Sequence, residues 1–413
     1  MLLELAWRSL WNRRGSVLLT LLSITLCVFT VIGVEHIRSQ ARESFSRTIS
    51  GVDLVVGART SQLNLLLYSV FRIGNASNGV SWPTYAALAA DKRVAWSIPL
   101  SLGDSHRGYR VLGTTSDYFT HFRYGAQTPL ELREGQVFGE DNEVVLGATV
   151  AARLGYQPGD ELVLAHGLGE VSFSNHDDAP FTVSGILAAT GTPVDQTLHI
   201  SLHSMEAIHA SLQNATAAAP AHTEPAHTEP ESITAFLVGL KSRATVFGLQ
   251  REINDLAAEP LTAILPGVAL AELWSTMAAA EAVLSAISAL VLLASLLGMA
   301  TLLLSSMKER TREIALYRAV GAHASTILLL IELECLLITC IGMAAGFLLV
   351  WAGLLAGQDW LSEHYGLVIN TFPLNGTIAT YLAVILVGAV VLAGIPAVTA
   401  YRSSLAGKLR LGA

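Results

Sequence analysis

The stretch AVLSAISALVLLASLLGMATLLLSSMKERTREIALYRAVG, residues 282–321, decides the class of this protein. Residues 282–307 carry no charged side chain, and this run exceeds the roughly 20 apolar residues that a membrane-spanning helix needs. Four basic residues follow at once, namely Lys308, Arg310, Arg312 and Arg318. Because Lys and Arg gather at the cytoplasmic ends of spans, the stretch predicts a helix that leaves the membrane on the cytoplasmic side.

Three further apolar runs lie on either side of it, at residues 16–34, 326–355 and 377–400. The composition agrees, because 52% of the 413 residues are hydrophobic, only 14% are charged and the mean hydropathy is +0.50. A soluble domain carries about 25% charged residues. The net charge of -8 argues against a nucleic-acid partner, and three cysteines, all within the apolar runs, are too few for a disulfide framework.

Orientation follows from the basic residues outside 36–275, which precede the first run or follow the second and fourth runs. Four spans place all of them on one side, so both termini are expected in the cytoplasm. The predicted fold is an α-helical membrane protein with four transmembrane helices in a 1+3 layout and an α+β periplasmic domain on a helical stalk. Its parts are a cytoplasmic amphipathic segment (1–15), span 1 (16–35), the periplasmic domain (36–275), span 2 (276–307), a cytoplasmic loop (308–325), span 3 (326–356), a short periplasmic loop (357–376), span 4 (377–400) and a cytoplasmic tail (401–413).

The region 36–275 shows short alternating runs and short amphipathic runs, which predict an α+β domain with small antiparallel sheets. Its Gly- and Pro-punctuated stretch 133–192 looks like an inserted lobe. Uninterrupted helical patterns at 16–48 and 269–310 predict the stalk. Residues 214–232 contain the pentapeptide AHTEP twice and offer nothing to bury, so this His/Pro/Glu loop is predicted to be disordered.

Catalytic motifs are missing from the sequence. It holds no G-x-x-x-x-G-K-[ST] phosphate loop, no H-E-x-x-H, no C-x-x-C and no G-x-S-x-G. We therefore expect a non-catalytic protein with no cofactor bound directly.

The stretch MKERTREIALYRAVGAHASTI (307–327) resembles the cytoplasmic loop of MacB/FtsX-type, or type VII, ABC transporter permeases. An R-x-x-E-[IF]-[AG] pattern at Arg310–Ala315 is followed by R-A-x-G-A at Arg318–Ala322. The amino-terminal MLLELAWRSLWNRRGSVLLTLLSI is similar to the start of that family, and DLVVGARTSQLNLLLYSVFRIGN (53–75) resembles its stand-alone members. The resemblance extends over the whole chain.

That resemblance implies a permease subunit in the bacterial inner membrane, without a fused ATPase. It would couple ATP hydrolysis by a separate cytoplasmic ABC ATPase to mechanical movement of the periplasmic domain, in efflux, lipoprotein release or metal-linked transport. Implied partners are a second permease copy, a periplasmic adaptor or substrate-binding protein, and membrane lipids. The implied ATPase-coupling residues are Glu309, Arg310, Arg312, Glu313, Ile314, Tyr317, Arg318 and Gly321. Two alternatives stay open, an FtsX-like regulator of a cell-wall hydrolase and a membrane-anchored periplasmic metal-binding or sensor protein.

Two further features carry hypotheses. Gly342 and Gly346 form a G-x-x-x-G pair, which allows close helix packing either within the chain or against a second copy. Imidazole is a common ligand for transition metals, so a Zn(II) site is one interpretation of the histidines; ordinary surface and partly buried imidazoles are the other. The pattern at 199–203 favours a strand that carries two of them. The candidate ligands are His199, His203, His209, His222 and His227.

Overall fold

The computed structural model describes residues 2–139, 142–166, 180–208, 229–365 and 370–410. The chain divides into two compact units. A helical unit comprises Met1–Ala41, Ala278–Gln358 and Asn370–Ala413, and an α+β unit comprises Arg42–Met277 and Asp359–Ile369. Most of the segment predicted to be disordered, 214–232, lies outside the described residues.

The described helices are, in chain order, α1 (Leu2–Asn12), α2 (Arg14–Arg47), α3 (Gln62–Ser69), α4 (Trp82–Ala89), α5 (Asp117–His121), α6 (Ala148–Leu154), α7 (202–208), α8 (Val246–Asn254), α9 (Pro266–Ala319), α10 (Ala324–Tyr365) and α11 (Gly376–Arg410). Two short 3₁₀ helices lie at Pro193–Gln196 and Arg243–Thr245.

Within the described residues, four helices are long and apolar enough to cross a membrane, as the sequence predicts. The apolar segments are Arg14–Gln40 of α2, Pro266–Gly298 of α9, Ser325–Gln358 of α10 and Gly376–Gly394 of α11. The buried core of the helical unit comes chiefly from α2, α10 and α11, for example through Val28, Cys335 and Ala389. Among the described side chains of helix α9, only the partly buried Leu292 and Leu296 join this core.

The described strands are β1 (Leu54–Ala58), β2 (Val80–Ser81), β3 (Val94–His106), β4 (Tyr109–Thr114), β5 (Arg123–Tyr124), β6 (Thr128–Pro129), β7 (Leu132–Gly135), β8 (Glu143–Leu146), β9 (Glu161–Leu162), β10 (Ala165–His166), β11 (Phe181–Leu187), β12 (Thr197–Ser201), β13 (Ser232–Ile233), β14 (Ala235–Leu240) and β15 (Leu261–Ile264). With the helices between them, they confirm the predicted α+β class.

The main sheet is larger than expected. Among the described residues it has eleven strands, with the path β15-β1-β14-β3-β4-β12-β8-β11-β7, while β10 pairs with β3 and β9 with β11. The pairs β12–β4 and β11–β8 are parallel. The prediction of small antiparallel sheets is therefore wrong, because alternation identifies a strand but not its partner. The stretch 133–192 is not a separate lobe either, since its strands β7, β8 and β11 continue this sheet.

Strand β3 joins the two halves of the sheet because it is 13 residues long. Its first half pairs with β14, as at Ile98 and Leu237, and its second half pairs with β4, as at Leu102 and Leu112. A change of register between Leu102 and Ser105 follows the change of partner. Such an irregularity increases the local twist of a sheet.

Hydrophobic cores cover both faces of the first half of the sheet. Leu54 and Val56 of β1 belong to one core, and Val55 between them belongs to the other. This division follows from the two-residue period of a strand, which sends successive side chains to opposite faces. Helix α3 packs on the Val55 side and helices α4 and α8 on the other side, with Leu65 and Leu249 among the contacts.

Candidate functional site

The predicted coupling residues lie on the last part of α9. This helix runs from Pro266 to Ala319 without a break, so the first part of the predicted cytoplasmic loop, residues 308–319, continues the helix that carries the apolar segment. The positions concerned are Glu309, Arg310, Arg312, Glu313, Ile314, Tyr317 and Arg318. They therefore lie on the same continuous helix as the apolar part of α9.

Gly321 ends this helix. Its φ of +98° is a left-handed conformation that glycine adopts without steric cost, and a glycine just beyond the last helical residue is a common stop signal. Helix α10 begins at Ala324, where the carbonyl of His323 accepts from the backbone N–H of Thr326 at 3.0 Å. The turn between α9 and α10 is therefore only four residues long, 320–323.

The G-x-x-x-G pair brings α10 close to α2 within the chain. A Cβ added at Gly342 would lie 2.7 Å from Cγ2 of Ile24, and one at Gly346 would lie 2.7 Å from Cβ of Val28. The hydroxyl of Thr25 donates to the carbonyl of Gly342 at 3.4 Å. The sequence left open whether the two glycines pack within the chain or against a second copy. In this structure they pack against α2 of the same chain.

A second link joins α2 to the segment before α11, inside the helical unit. Nε2 of His36 lies 2.7 Å from the carbonyl oxygen of Asn370, which requires the ring to donate from that nitrogen. Oε1 of Gln40 accepts from the N–H of Asn370 at 2.9 Å, and Asn375 donates to Oγ of Ser39 at 3.4 Å. Local sequence patterns do not reveal these contacts, since more than 300 positions separate the partners.

Asn375 offers the one local signal for this link. Its side-chain oxygen accepts from the N–H of Ile378 at 2.8 Å and so caps the start of α11. Asparagine is among the preferred residues at that position. The cap fixes the side chain, so that its amide group is free to reach α2.

The proposed zinc ligands do not form one cluster in the described part of the chain. His199 is fully buried on β12, with its ring 5.3 Å from that of Tyr118 and 5.8 Å from that of Phe119. His203 lies on α7, because β12 ends at Ser201, so the strand predicted to carry both histidines is wrong. His209, His222 and His227 lie outside the described residues.

Burial is the main reason that the pKa of His199 falls to about 3, and the charge of Arg72 lowers it further. Among the described residues, no three His, Cys, Asp or Glu side chains are placed to hold a metal ion. Zinc binding stays a prediction.

Comparison with known protein families gives two matches. A model described as the MacB-like periplasmic core domain matches residues 17–256, and one described as the FtsX-like permease C-terminal matches residues 285–405. No curated protein matches the chain.

Two solved structures are similar to part of the chain. The periplasmic region of MacB from Actinobacillus actinomycetemcomitans is 12% identical, covers 53% of this chain and 92% of its own, and gives a TM-score of 0.33. The extracellular domain of the noncanonic ABC-type transporter YknZ from Gram-positive bacteria is 11% identical, covers 52% of this chain and 98% of its own, and gives a TM-score of 0.30.

The first family model alone spans more than half of the chain, and the second begins where the apolar part of α9 lies. Between them they cover most of the α+β unit and most of the helices that follow it. The chain belongs to the MacB/FtsX-type family of ABC transporter permeases.

Proposed function

We propose that this chain converts ATP hydrolysis by a separate cytoplasmic ABC ATPase into movement of its extracytoplasmic α+β domain. The observation that carries the proposal is the continuity of α2 and α9. Each helix has residues in both units, with the divisions after Ala41 and after Met277, and neither helix is broken there. At 1.5 Å per residue, the 54 residues of α9 extend over roughly 80 Å. A helix of that kind transmits displacement along its length.

The membrane arrangement belongs to the same proposal. Helices α2, α9, α10 and α11 cross the membrane as spans 16–35, 276–307, 326–356 and 377–400, in a 1+3 layout with both termini in the cytoplasm. Support comes from the apolar segments and from the basic residues at one end of each. Residues 36–275 are then periplasmic, on a stalk made by the extensions of α2 and α9, and 357–376 form a short periplasmic loop. The segments 1–15, 308–325 and 401–413 are cytoplasmic.

Force would enter at the coupling segment, residues 308–321. Its charged residues, such as Glu313 and Arg318, are suited to a charge-complementary groove on the ATPase. The four-residue turn at Gly321 passes movement to α10, and the contact of Gly342 and Gly346 with α2 passes it to the first span. Both helices that lead into the α+β unit are then driven from one cytoplasmic contact.

The test compares wild type with a Glu313→Lys, Arg318→Glu double variant in a mild-detergent pull-down from native membranes. A small ATPase should co-purify with wild type and be lost from the double variant, together with the ATPase activity of the eluate. An Arg402→Glu, Lys408→Glu variant serves as the matched control, because it reverses charge in the cytoplasmic tail outside the coupling segment. Absence of an ATPase from intact wild-type protein would overturn the proposal.

The same pull-down addresses the substrate. The material moved is proposed to be periplasmic or part of the envelope, as in efflux, lipoprotein release or metal-linked transport. A periplasmic adaptor or substrate-binding protein that co-purifies with both wild type and the tail variant would identify the partner of the α+β unit. A cell-wall hydrolase in its place would favour the FtsX-like regulator.

A second copy of the chain is the proposed partner of α9. Only 6% of the most apolar segment of this helix is buried, against 44% for α10. Leu290 and Leu293 are 65% and 54% exposed. Exposed apolar side chains on a membrane helix can face lipid or another helix. In the proposed homodimer, the exposed apolar side chains of α9 would be covered in both copies.

A further inference from the structure

A cleft of about 330 Å³ opens in the α+β unit between the loop after α3 and the hairpin of β3 and β4. Residues on its walls include Tyr68, Gly74, Asn75, Leu102, Gly103 and Arg110. Arg110 is the only charged residue on the wall of this cleft among the described residues. The electrostatic character of the cleft therefore depends on how that guanidinium is neutralised.

The guanidinium of Arg110 donates hydrogen bonds to two uncharged groups. Nη1 donates to Oδ1 of Asn75 at 2.9 Å, and Nη2 donates to the carbonyl of Gly74 at 2.7 Å. These two bonds fix its orientation against the loop at 74–75. They leave its positive charge without a counter-charge.

A second guanidinium adds to this charge. Arg72 donates to the carbonyl of Ser69 and lies beside the hydroxyl of Tyr118. Burial lowers the pKa of Arg72, and the pKa of Arg110 is lowered by burial and by the neighbouring charge of Arg72. The two like charges therefore act on one another.

Several other arginines of the described chain have a counter-charge. Arg93 pairs with Asp91 and Glu252, while Arg38, Arg47, Arg133 and Arg243 each lie within 4 Å of a carboxylate. Among the described residues, neither Arg72 nor Arg110 has a carboxylate within that distance. Arg110 is partly exposed, so an anion that enters the cleft could reach its guanidinium and supply the missing counter-charge.

The backbone at this site is unusual as well. Arg72 has a φ of +61°, a conformation that non-glycine residues seldom adopt, and Gly74 follows at +81°. Such conformations persist where the surroundings enforce them, and they gather at ligand sites. Here they lie on the loop that brings Gly74 and Asn75 to Arg110.

We propose that this cleft binds the anionic group, a phosphate or a carboxylate, of a small solute outside the cytoplasm. Arginine forms paired hydrogen bonds with both groups. A second cleft of about 320 Å³ shares Ala76 and Leu102 with the first and has Glu206 and Glu231 on its walls. The remainder of the ligand extends there and is neutral or cationic, because two carboxylates would repel an anion. This site goes beyond the proposed coupling of ATP hydrolysis to movement.

The test is isothermal titration calorimetry on the full chain in detergent, at constant ionic strength. The probes are inorganic phosphate, acetate and O-phosphoethanolamine, which carries an anionic and a cationic end. Wild type should bind at least one probe saturably, and Arg110→Gln should weaken that binding by about ten-fold or more, since a charged hydrogen-bonding partner is lost. Arg251→Gln, which changes an exposed arginine on α8, should bind like wild type.

Ala76→Glu tests the site without removing any bond of Arg110. It places a carboxylate on the wall shared by both clefts, and it should abolish anion binding even if Arg110→Gln proves unstable. Tighter binding of O-phosphoethanolamine than of phosphate would indicate a lipid-headgroup ligand, whereas equal binding would indicate a free phosphate, and a preference for acetate would indicate a carboxylate. Absence of binding to wild type up to about 10 mM, or equal binding by wild type, Arg110→Gln and Ala76→Glu, would overturn the proposal.

Discussion

The imidazole of His199 packs against the rings of Tyr118 and Phe119, and its Nδ1 is 3.3 Å from the carbonyl oxygen of Val145. From the sequence, His199 was one of five candidate metal ligands. Its pKa of about 3 shows that the folded protein keeps this ring neutral, chiefly because charging it would place a cation in the core. Burial, which no local pattern reveals, decides its chemistry.

This burial predicts a pH dependence of stability. The unfolded chain protonates His199 near its ordinary pKa of 6.5, whereas the folded chain resists protonation down to about 3. The unfolded state therefore binds the extra proton, and the stability linked to His199 is complete above pH 6.5 and is lost as the pH falls towards 3. The His199→Leu variant should therefore lose less folding stability than wild type as the pH falls.

Thermal unfolding followed at several pH values between 7 and 4 measures the effect. His121→Gln is the matched control, because His121 stacks on Trp96 at a partly exposed position. The control should lose stability on acidification as wild type does. An unchanged pH dependence in His199→Leu would contradict the assignment.

At the scale of the secondary-structure element, the packing of the helical unit depends on which helices contact one another. Sequence alone located all four apolar helices, because each contains an uncharged or nearly uncharged run of sufficient length. The sequence does not identify which helices pack together, because a G-x-x-x-G motif allows close packing without specifying the partner helix. The structure gives the partner of Gly342 and Gly346 as α2, through Ile24 and Val28.

Enlarging this contact should be costly. Gly346→Leu would force its side chain against Val28 and the carbonyl of Thr25, where even a Cβ has only 2.8 Å of room or less. We expect a loss of about 2 kcal/mol in the stability of the helical unit, the usual range for overpacking. Gly353→Leu, on the same helix but with no atom within 4 Å of the added Cβ, should cost little. The free energy of unfolding of the two variants, measured in detergent, checks this prediction. Equal stability of the two variants would contradict the close contact of Gly346 with α2.

At the scale of the whole molecule, the described apolar segment of α9 is less buried within the chain than those of α2, α10 and α11. Its exposed apolar residues are what a second copy would cover in the proposed homodimer. Leu290, which is 65% exposed, is a suitable position for a reporter cysteine. The exposed Cys340 has to be replaced by serine first, while Cys27 and Cys335 are buried.

In the Cys340→Ser background, Leu290→Cys should form a disulfide-linked dimer in oxidised membranes, detected by non-reducing electrophoresis. Val391→Cys is the control, since Val391 of α11 is also 65% exposed but lies on a helix that the chain itself packs. Cross-linking at Val391 with none at Leu290 would place the second copy against α11 instead.

The sequence by itself determined the four apolar helices, the α+β class of the region between the first and second of them, and the family. Each of these rests on local features, namely the length of an apolar run, the alternation within a strand and the residues of the segment 307–327. Tertiary structure alone decided the order of the mixed sheet, the burial of His199 and the link from His36 to Asn370. It also brought together Arg72 and Arg110, which belong to a loop and a strand on opposite sides of β3 in the sequence. The physical reason is common to all of these: they depend on pairs of residues far apart in the chain, and a local pattern constrains only neighbours.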